Sequence, residues 1–279
     1  MGKDWSRKPF DSIKMAELRE RILDWEKEIN RLNQQIEDSD HKWIFRCFQN
    51  VSSTQDVAKE FYPDLDANTS ALIIAKSQTQ GRGRQGRAWD AADEGFYGTY
   101  AFKTETDAGD LSGLSLAVGC VLCETLKMYS TEIGLKWPND VLSKNGDKLC
   151  GILIELSPAE TGQYVLIGIG INLVGSPLHV VESTSLFDLS GKLVSVAEVA
   201  ALLTQNLTQA WSEFTKNGFS SFRERWMDDA LFFGSKIVVQ ISDTSLSGTF
   251  LGVDDRGSML LETAGGTIPV SAGHIISID

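Results

Sequence analysis

Hydrophobic residues recur along this chain in two rhythms. Near the start, Met15, Leu18, Ile22, Trp25, Ile29, Leu32 and Ile36 follow one another at alternating spacings of three and four. That period predicts an amphipathic helix over residues 14–38, with a seam suited either to a homodimer or to packing on its own domain. Further on, short apolar runs alternate with helical stretches. Strands are expected at 43–49, 71–76, 97–103, 149–155 and 163–173, and helices at 54–61, 111–129, 195–216 and 219–229. Ser53 and Thr54 stand where a cap for the first of these helices belongs. Beyond residue 232, strands at 236–241, 246–253, 258–263 and 266–270 are separated by the turn signals Asp254-Asp255-Arg256-Gly257 and Ala264-Gly265-Gly266. The pattern describes an α+β protein in three parts: a helical extension (1–42), a mixed-sheet domain (43–231) and a small β-barrel (232–279).

Charge narrows the chemistry. With 26 Lys and Arg against 38 Asp and Glu, the 279-residue chain carries −12. Such a field repels nucleic acid and anionic membrane, so an anionic ligand must be met by local positive charge. No apolar run is read as approaching the ~20 residues of a membrane span, and the first residues lack the apolar core of a signal peptide. The four cysteines show no zinc-type spacing, which leaves buried free thiols and a reducing, cytoplasmic compartment as the expectation. The three histidines pair with no Cys or Ser motif, which argues against a triad or zinc hydrolase. No turn leads from the first helix to a recognition helix, so a DNA partner is not expected.

Against that acidic background, Gly81-Arg82-Gly83-Arg84-Gln85-Gly86-Arg87 packs three arginines among three glycines, closely followed by Trp89. Glycines let backbone amides approach a ligand, and guanidinium forks suit phosphate or carboxylate. No Gly-Lys-Ser/Thr ending follows, so this is not a Walker loop. Lys136-Trp137-Pro138-Asn139-Asp140 sets an ammonium, an amide and a carboxylate at a strand end entering a turn. Lys148 then precedes a strand carrying Gly151, where a backbone or ligand can come close. Gly168-Ile169-Gly170-Ile171-Asn172 lacks the third glycine of a dinucleotide fingerprint and is read either as a strand passing tightly beside a ligand or as a close-packed core strand.

Ser52-Ser53-Thr54-Gln55, Gln78 with the glycine-arginine loop and Trp89, Lys-Trp-Pro-Asn-Asp, Lys-Leu-Cys-Gly-Ile-Leu-Ile-Glu and Gly-Ile-Gly-Ile-Asn occur in that order. The set resembles the biotin protein ligases over about residues 45–279. The resemblance implies a catalytic domain of the class II synthetase/biotin-lipoate ligase type with an SH3-like C-terminal barrel, and no winged helix before it. It implies activation of biotin with MgATP to biotinyl-5′-AMP, then transfer to a lysine of a biotin carboxyl carrier domain. Ser53, Thr54, Gln55, Gln78, Arg82, Gly83, Arg84, Lys148 and Gly151 would bind biotin. Arg82, Arg84, Arg87, Trp89, Lys136, Asn139 and Asn172 would bind the nucleotide. Arg84, Lys148 and Asp140 would be catalytic, with Asp140 also a Mg²⁺ ligand. Cys150 departs from the family's usual small residue such as Ala. A lipoate-type ligase and a biotin-responsive regulator are the alternatives.

Overall fold

The computed structural model describes residues 41–278 apart from 62–64, 67, 91–93 and 178–181. The helix expected at 14–38 and the extension it defines lie outside the described residues.

Seven strands form one sheet: β1 (Lys42–Val51), β2 (Thr69–Gln78), β3 (Phe96–Thr104), β4 (Ile133–Lys136), β5 (Asp140–Ser143), β6 (Lys148–Pro158) and β7 (Gln163–Ile171). Their order is β1-β2-β3-β7-β6-β5-β4; β1 and β2 run parallel and the other neighbours antiparallel. Around the sheet lie α1 (Thr54–Phe61), α2 (Leu114–Lys127), α3 (Leu186–Ser190), α4 (Val196–Asn217) and α5 (Arg223–Asp228). The C-terminal strands β8 (Lys236–Ile241), β9 (Thr244–Val253), β10 (Met259–Thr263), β11 (Gly266–Val270) and β12 (His274–Ile278) pair antiparallel in the order β11-β10-β9-β8-β12.

Period-two alternation decides what each face of the large sheet meets. Leu72 and Ile74 of β2, Tyr100 and Phe102 of β3, and Val165, Ile167 and Ile169 of β7 join the main core with α2 and α4. Their neighbours Ala71, Ile73, Ala101, Tyr164 and Leu166 form a second core with Ala58 of α1. The Gly-Ile-Gly-Ile run resolves accordingly: its isoleucines enter the main core, while Gly168 and Gly170 fall on the α1 face, where bare backbone is left beyond the helix. The close-packed core reading of that run holds for its isoleucines.

Two of the sequence expectations change. The 219–229 helix is a 3₁₀ turn at Phe219–Ser221 followed by the short α5. The stretch Ala108–Lys127 is apolar and long enough by composition to cross a membrane, contrary to the sequence reading, but 67% of that window is buried inside the fold. β4, β5, α3 and β12 were not visible in the hydrophobic pattern; β4, β5 and β12 are four or five residues long, too short to show a period.

The barrel is fixed to the sheet rather than tethered to it. Leu231 N–H donates to Leu135 C=O and Leu135 N–H to Asp229 C=O, so the connecting segment makes a single parallel bridge to β4 at Ala230. Trp137 Nε1 donates to Gly257 C=O at 3.1 Å, and Arg223 Nε to Val253 C=O at 2.7 Å. Gly257 has φ +80°, and a Cβ there would sit 2.8 Å from Gly113 Cα. Neither backbone can retreat without disturbing the interface, and a left-handed φ adds about 1–2 kcal/mol for an L side chain. Gly257→Ala should therefore lower the unfolding free energy by about 2 kcal/mol or more, read as a shifted urea midpoint.

Candidate active site

A cleft of about 240 Å³ opens over the bare part of the sheet. Its floor is glycine: Gly151 of β6 and Gly170 of β7 are directly paired, and Gly168 lies two residues earlier on the same face. With no side chains on the floor, a ring can lie flat against the strands. Trp89 does so; a Cβ on either Gly151 or Gly170 would come within 2.6 Å of its indole. The Lys148 ammonium stands 5.4 Å from the same ring centroid.

One end of the cleft is neutral, polar and buried. It is built by the start of α1. Ser53 Oγ accepts the Gln55 N–H at 3.3 Å, capping the helix, while Gln78 Oε1 accepts from both Thr54 N–H (2.8 Å) and Thr54 Oγ1 (3.2 Å). Thr99 Oγ1 in turn donates to Thr54 Oγ1. Gln55 Nε2 donates to Leu153 C=O at 2.8 Å, and its Oε1 is buried with no protein partner. A buried, unpaired acceptor costs about 1–3 kcal/mol unless a ligand N–H reaches it.

The rest is cationic. Arg82, Arg84, Arg87, Lys136 and Lys148 line the cleft, against one carboxylate, Asp140. The glycine-arginine loop is an ordered hairpin: Gly83 N–H donates to Arg87 C=O and Trp89 N–H to Gly81 C=O, with Gln85 and Gly86 at positive φ at the tip. Its arginines do different work. Arg82 grips Asp56 of α1 through both Nη atoms (2.9 and 2.7 Å) and Glu155 of β6 through Nε and Nη2 (both 3.2 Å), and Lys59 adds a 2.9 Å contact to Glu155. Its charge is therefore balanced by protein carboxylates, and it anchors the loop rather than presenting a free cation. Arg84 is different. Its Nη1 donates weakly to Asn139 Oδ1 (3.3 Å) and Gly273 C=O (3.5 Å). Burial lowers its pKa, with Asp140 opposing that and Arg87 adding to it. Among the described residues Arg84, Arg87 and Lys136 form no salt bridge.

At the junction of β4 and β5, Trp137 and Pro138, joined by a cis peptide, make the turn expected from the sequence. Asn139 Nδ2 donates to Ile152 C=O, leaving Oδ1 for Arg84. Asp140 Oδ1 lies 2.6 Å from Lys148 Nζ, outside hydrogen-bond alignment. Among the described residues no three His, Cys, Asp or Glu side chains gather as a metal site. A single cleft carboxylate fits a Mg²⁺ that arrives on phosphates and takes one protein ligand, since that ion commonly uses one or two carboxylates with substrate oxygens.

The structure thus brings together on the cleft every predicted site residue except Asn172. Asn172 is buried behind it, with Nδ2 donating to Lys148 C=O and Thr184 C=O. It braces the start of β6 and so acts on Lys148 through the backbone. Sequence reasoning missed Gly273, His274 and Ile275, which the C-terminal sheet adds to the lining. Nothing in a hydrophobic pattern signals that contact, because Arg84 and Gly273 are 189 positions apart in the chain. Cys150 points into the main core, on the opposite side from the cleft.

The comparisons with known proteins agree with this arrangement. Residues 47–172 match the biotin/lipoate A/B protein ligase family, and 232–276 match the biotin protein ligase C-terminal domain. The chain is 31% identical over 235 residues to a biotin–[acetyl-CoA-carboxylase] ligase of Paracoccus denitrificans, spanning 81% of this chain and 97% of the relative. It is 30% identical over 226 residues to the corresponding ligase of Mycobacterium tuberculosis, spanning 77% and 80%. Among solved structures, the biotin protein ligase of Aquifex aeolicus in complex with biotin and ATP matches with a TM-score of 0.72 and 26% identity, covering 85% of this chain and 98% of that one.

The Arg82 network makes a prediction about acid. Hydrogen bonding from Arg82 holds Asp56 below its ordinary range; burial pushes Glu155 up, but Arg82 and Lys59 overcome it. A depressed folded pKa contributes stability that is complete above the unfolded value, about 4, and lost as pH falls below that through the lower folded value. Asp56→Asn should flatten the acid limb of a stability–pH curve below about pH 5, measured by urea unfolding.

Proposed function

The chain belongs to the biotin–[acetyl-CoA-carboxylase] ligase family, and we propose that its cleft joins biotin to ATP and passes the biotinyl group to a carrier-domain lysine. The observation that carries this reading is the five-to-one excess of basic over acidic cleft residues, set beside a buried neutral end. Biotin has the same two-part character, an uncharged cyclic urea and a carboxylate. The urea offers N–H donors to Gln55 Oε1 and a carbonyl to Gln78 Nε2, whose own oxygen is occupied by Thr54. A lipoate ring has no N–H and would leave Gln55 Oε1 unpaired, which favours biotin over lipoate.

In the first step a biotin carboxylate oxygen attacks the α-phosphorus, and the α–β anhydride bond breaks with its electron pair leaving on pyrophosphate. Two anions must meet; at ~4 Å their repulsion is about 4 kcal/mol at an effective dielectric near ~20. Lys148 and Arg84 supply the opposing charge. Lys148 is held over the floor by Asp140 and Trp89, and Arg84 by only weak bonds, so both can turn to the reactants. Mg²⁺ bound to the nucleotide would neutralise phosphate charge, and Asp140 is the cleft side chain that would share it. In the second step a neutral lysine amine attacks the acyl carbon, AMP leaves, and Asp140 accepts or orients the departing proton. The loop above the floor excludes water from the mixed anhydride between the two steps. Four unpaired cysteines support a reducing, cytoplasmic setting.

Incubation with biotin, MgATP and a biotin carboxyl carrier domain, followed by mass spectrometry, tests the reading: the carrier should gain one biotinyl group, and no gain refutes it. Lys148→Ala should lower biotin-dependent pyrophosphate release by about a hundredfold or more with the fold intact by circular dichroism. Arg84→Gly removes both loop contacts and a cation, so it should release adenylate and biotinylate bystander lysines, seen on a streptavidin blot of added albumin.

A further inference from the structure

The turn leading into β12 places His274 on the cleft from the barrel side. Its Nε2 lies 2.9 Å from Arg87 Nη2, and its Nδ1 is shut away from solvent with no protein partner. Guanidinium N–H groups only donate, so Nε2 is the acceptor, the ring is neutral, and the proton is on Nδ1. The charged groups facing the ring are all cations: Arg84 and Arg87 of the loop and Lys136 at the end of β4. Gln240, its partner across the β8–β12 ladder, is uncharged. Burial first, then Arg87, Arg84 and Lys136, push its pKa below the ordinary imidazole value.

Resting on the reading of this cleft as an ATP site, we propose that His274 is a phosphate-contacting residue that takes up a proton as the triphosphate binds and gives up Arg87 to the anion. The Arg87–His274 bond needs the imidazole lone pair, which exists only in the neutral ring. In the free protein a fourth positive charge among three cations is opposed. A polyphosphate reverses the local field, so the imidazolium becomes the favoured form, its orphaned Nδ1–H gains an acceptor, and Arg87, left with only a 3.3 Å bond to Gln85 Oε1, becomes a second donor. Neighbouring Gly273 already receives Arg84 through its carbonyl, so this turn meets the loop at two points. Linkage then requires ATP affinity to fall as pH rises from the free to the bound pKa of the ring, approaching about tenfold per pH unit for one full proton.

Titration calorimetry with Mg²⁺ and α,β-methylene-ATP, whose methylene bridge prevents transfer of its adenylyl group, tests this near neutral pH in two buffers of different ionisation heat. The native chain should take up a larger fraction of a proton than His274→Gln, whose amide can still accept from Arg87 without titrating. The variant also cancels any proton carried by the nucleotide, and its affinity should vary less with pH. In the native chain, the His274 ring resonance should titrate at higher pH with the analogue bound. Equal proton counts, or an unmoved resonance, overturn the proposal while leaving the ligase reading intact. Failure of the analogue to bind either protein overturns the ligase reading itself.

Discussion

A pocket of positive charge maintained on an acidic protein is the constraint that shapes the rest of this molecule. Five basic side chains crowded round a small cleft repel one another when no ligand is present, and the fold contains that repulsion in different ways. Arg82 is balanced by Asp56 and Glu155 and has become part of the frame. Lys148 is held by Asp140 from one side and by the Trp89 ring from the other. Arg84 and Arg87 lean on neutral acceptors, Asn139, Gly273 and His274, which hold a cation without cancelling it. The uncompensated charge is therefore smaller than the count of basic residues and is concentrated at Arg84, Arg87 and Lys136.

The sheet makes this possible through its alternation. Large aliphatic residues on one face of β6 and β7 fill the main core and keep the strands rigid, while glycines on the other face leave a smooth floor. Rigidity and access come from the same two strands. The loop above is clamped at its start by the Arg82 network and rests at its tip on the barrel, so the C-terminal domain forms part of the wall of the site. The backbone bonds at Leu135 and Leu231 and the Trp137 contact fix that wall in place.

Much of this was legible in the sequence. Glycine and arginine together in an acidic chain singled out the loop that lines the cleft, and Lys136 to Asp140 behave as the predicted strand-to-turn element. The long strands and helices showed because their periods repeat several times. What did not show depends on pairing at a distance. No local signal tells that Arg82 will find two carboxylates from two other elements, that Asn172 will brace Lys148 from behind the sheet, or that His274 will cross from the barrel. Those contacts are set by how the elements pack, and the same residue types at other registers would have bound nothing.

The most direct test of the charge account is a crystal structure of the native chain with biotin, Mg²⁺ and a non-reactive ATP analogue. The account predicts the biotin carboxylate and the α-phosphate side by side over the glycine floor. Lys148 Nζ and the Arg84 guanidinium would lie within hydrogen-bonding distance of them, and the Lys148–Asp140 contact would be opened. Anions bound elsewhere, or Lys148 still closed on Asp140 with Arg84 turned to solvent, would contradict it.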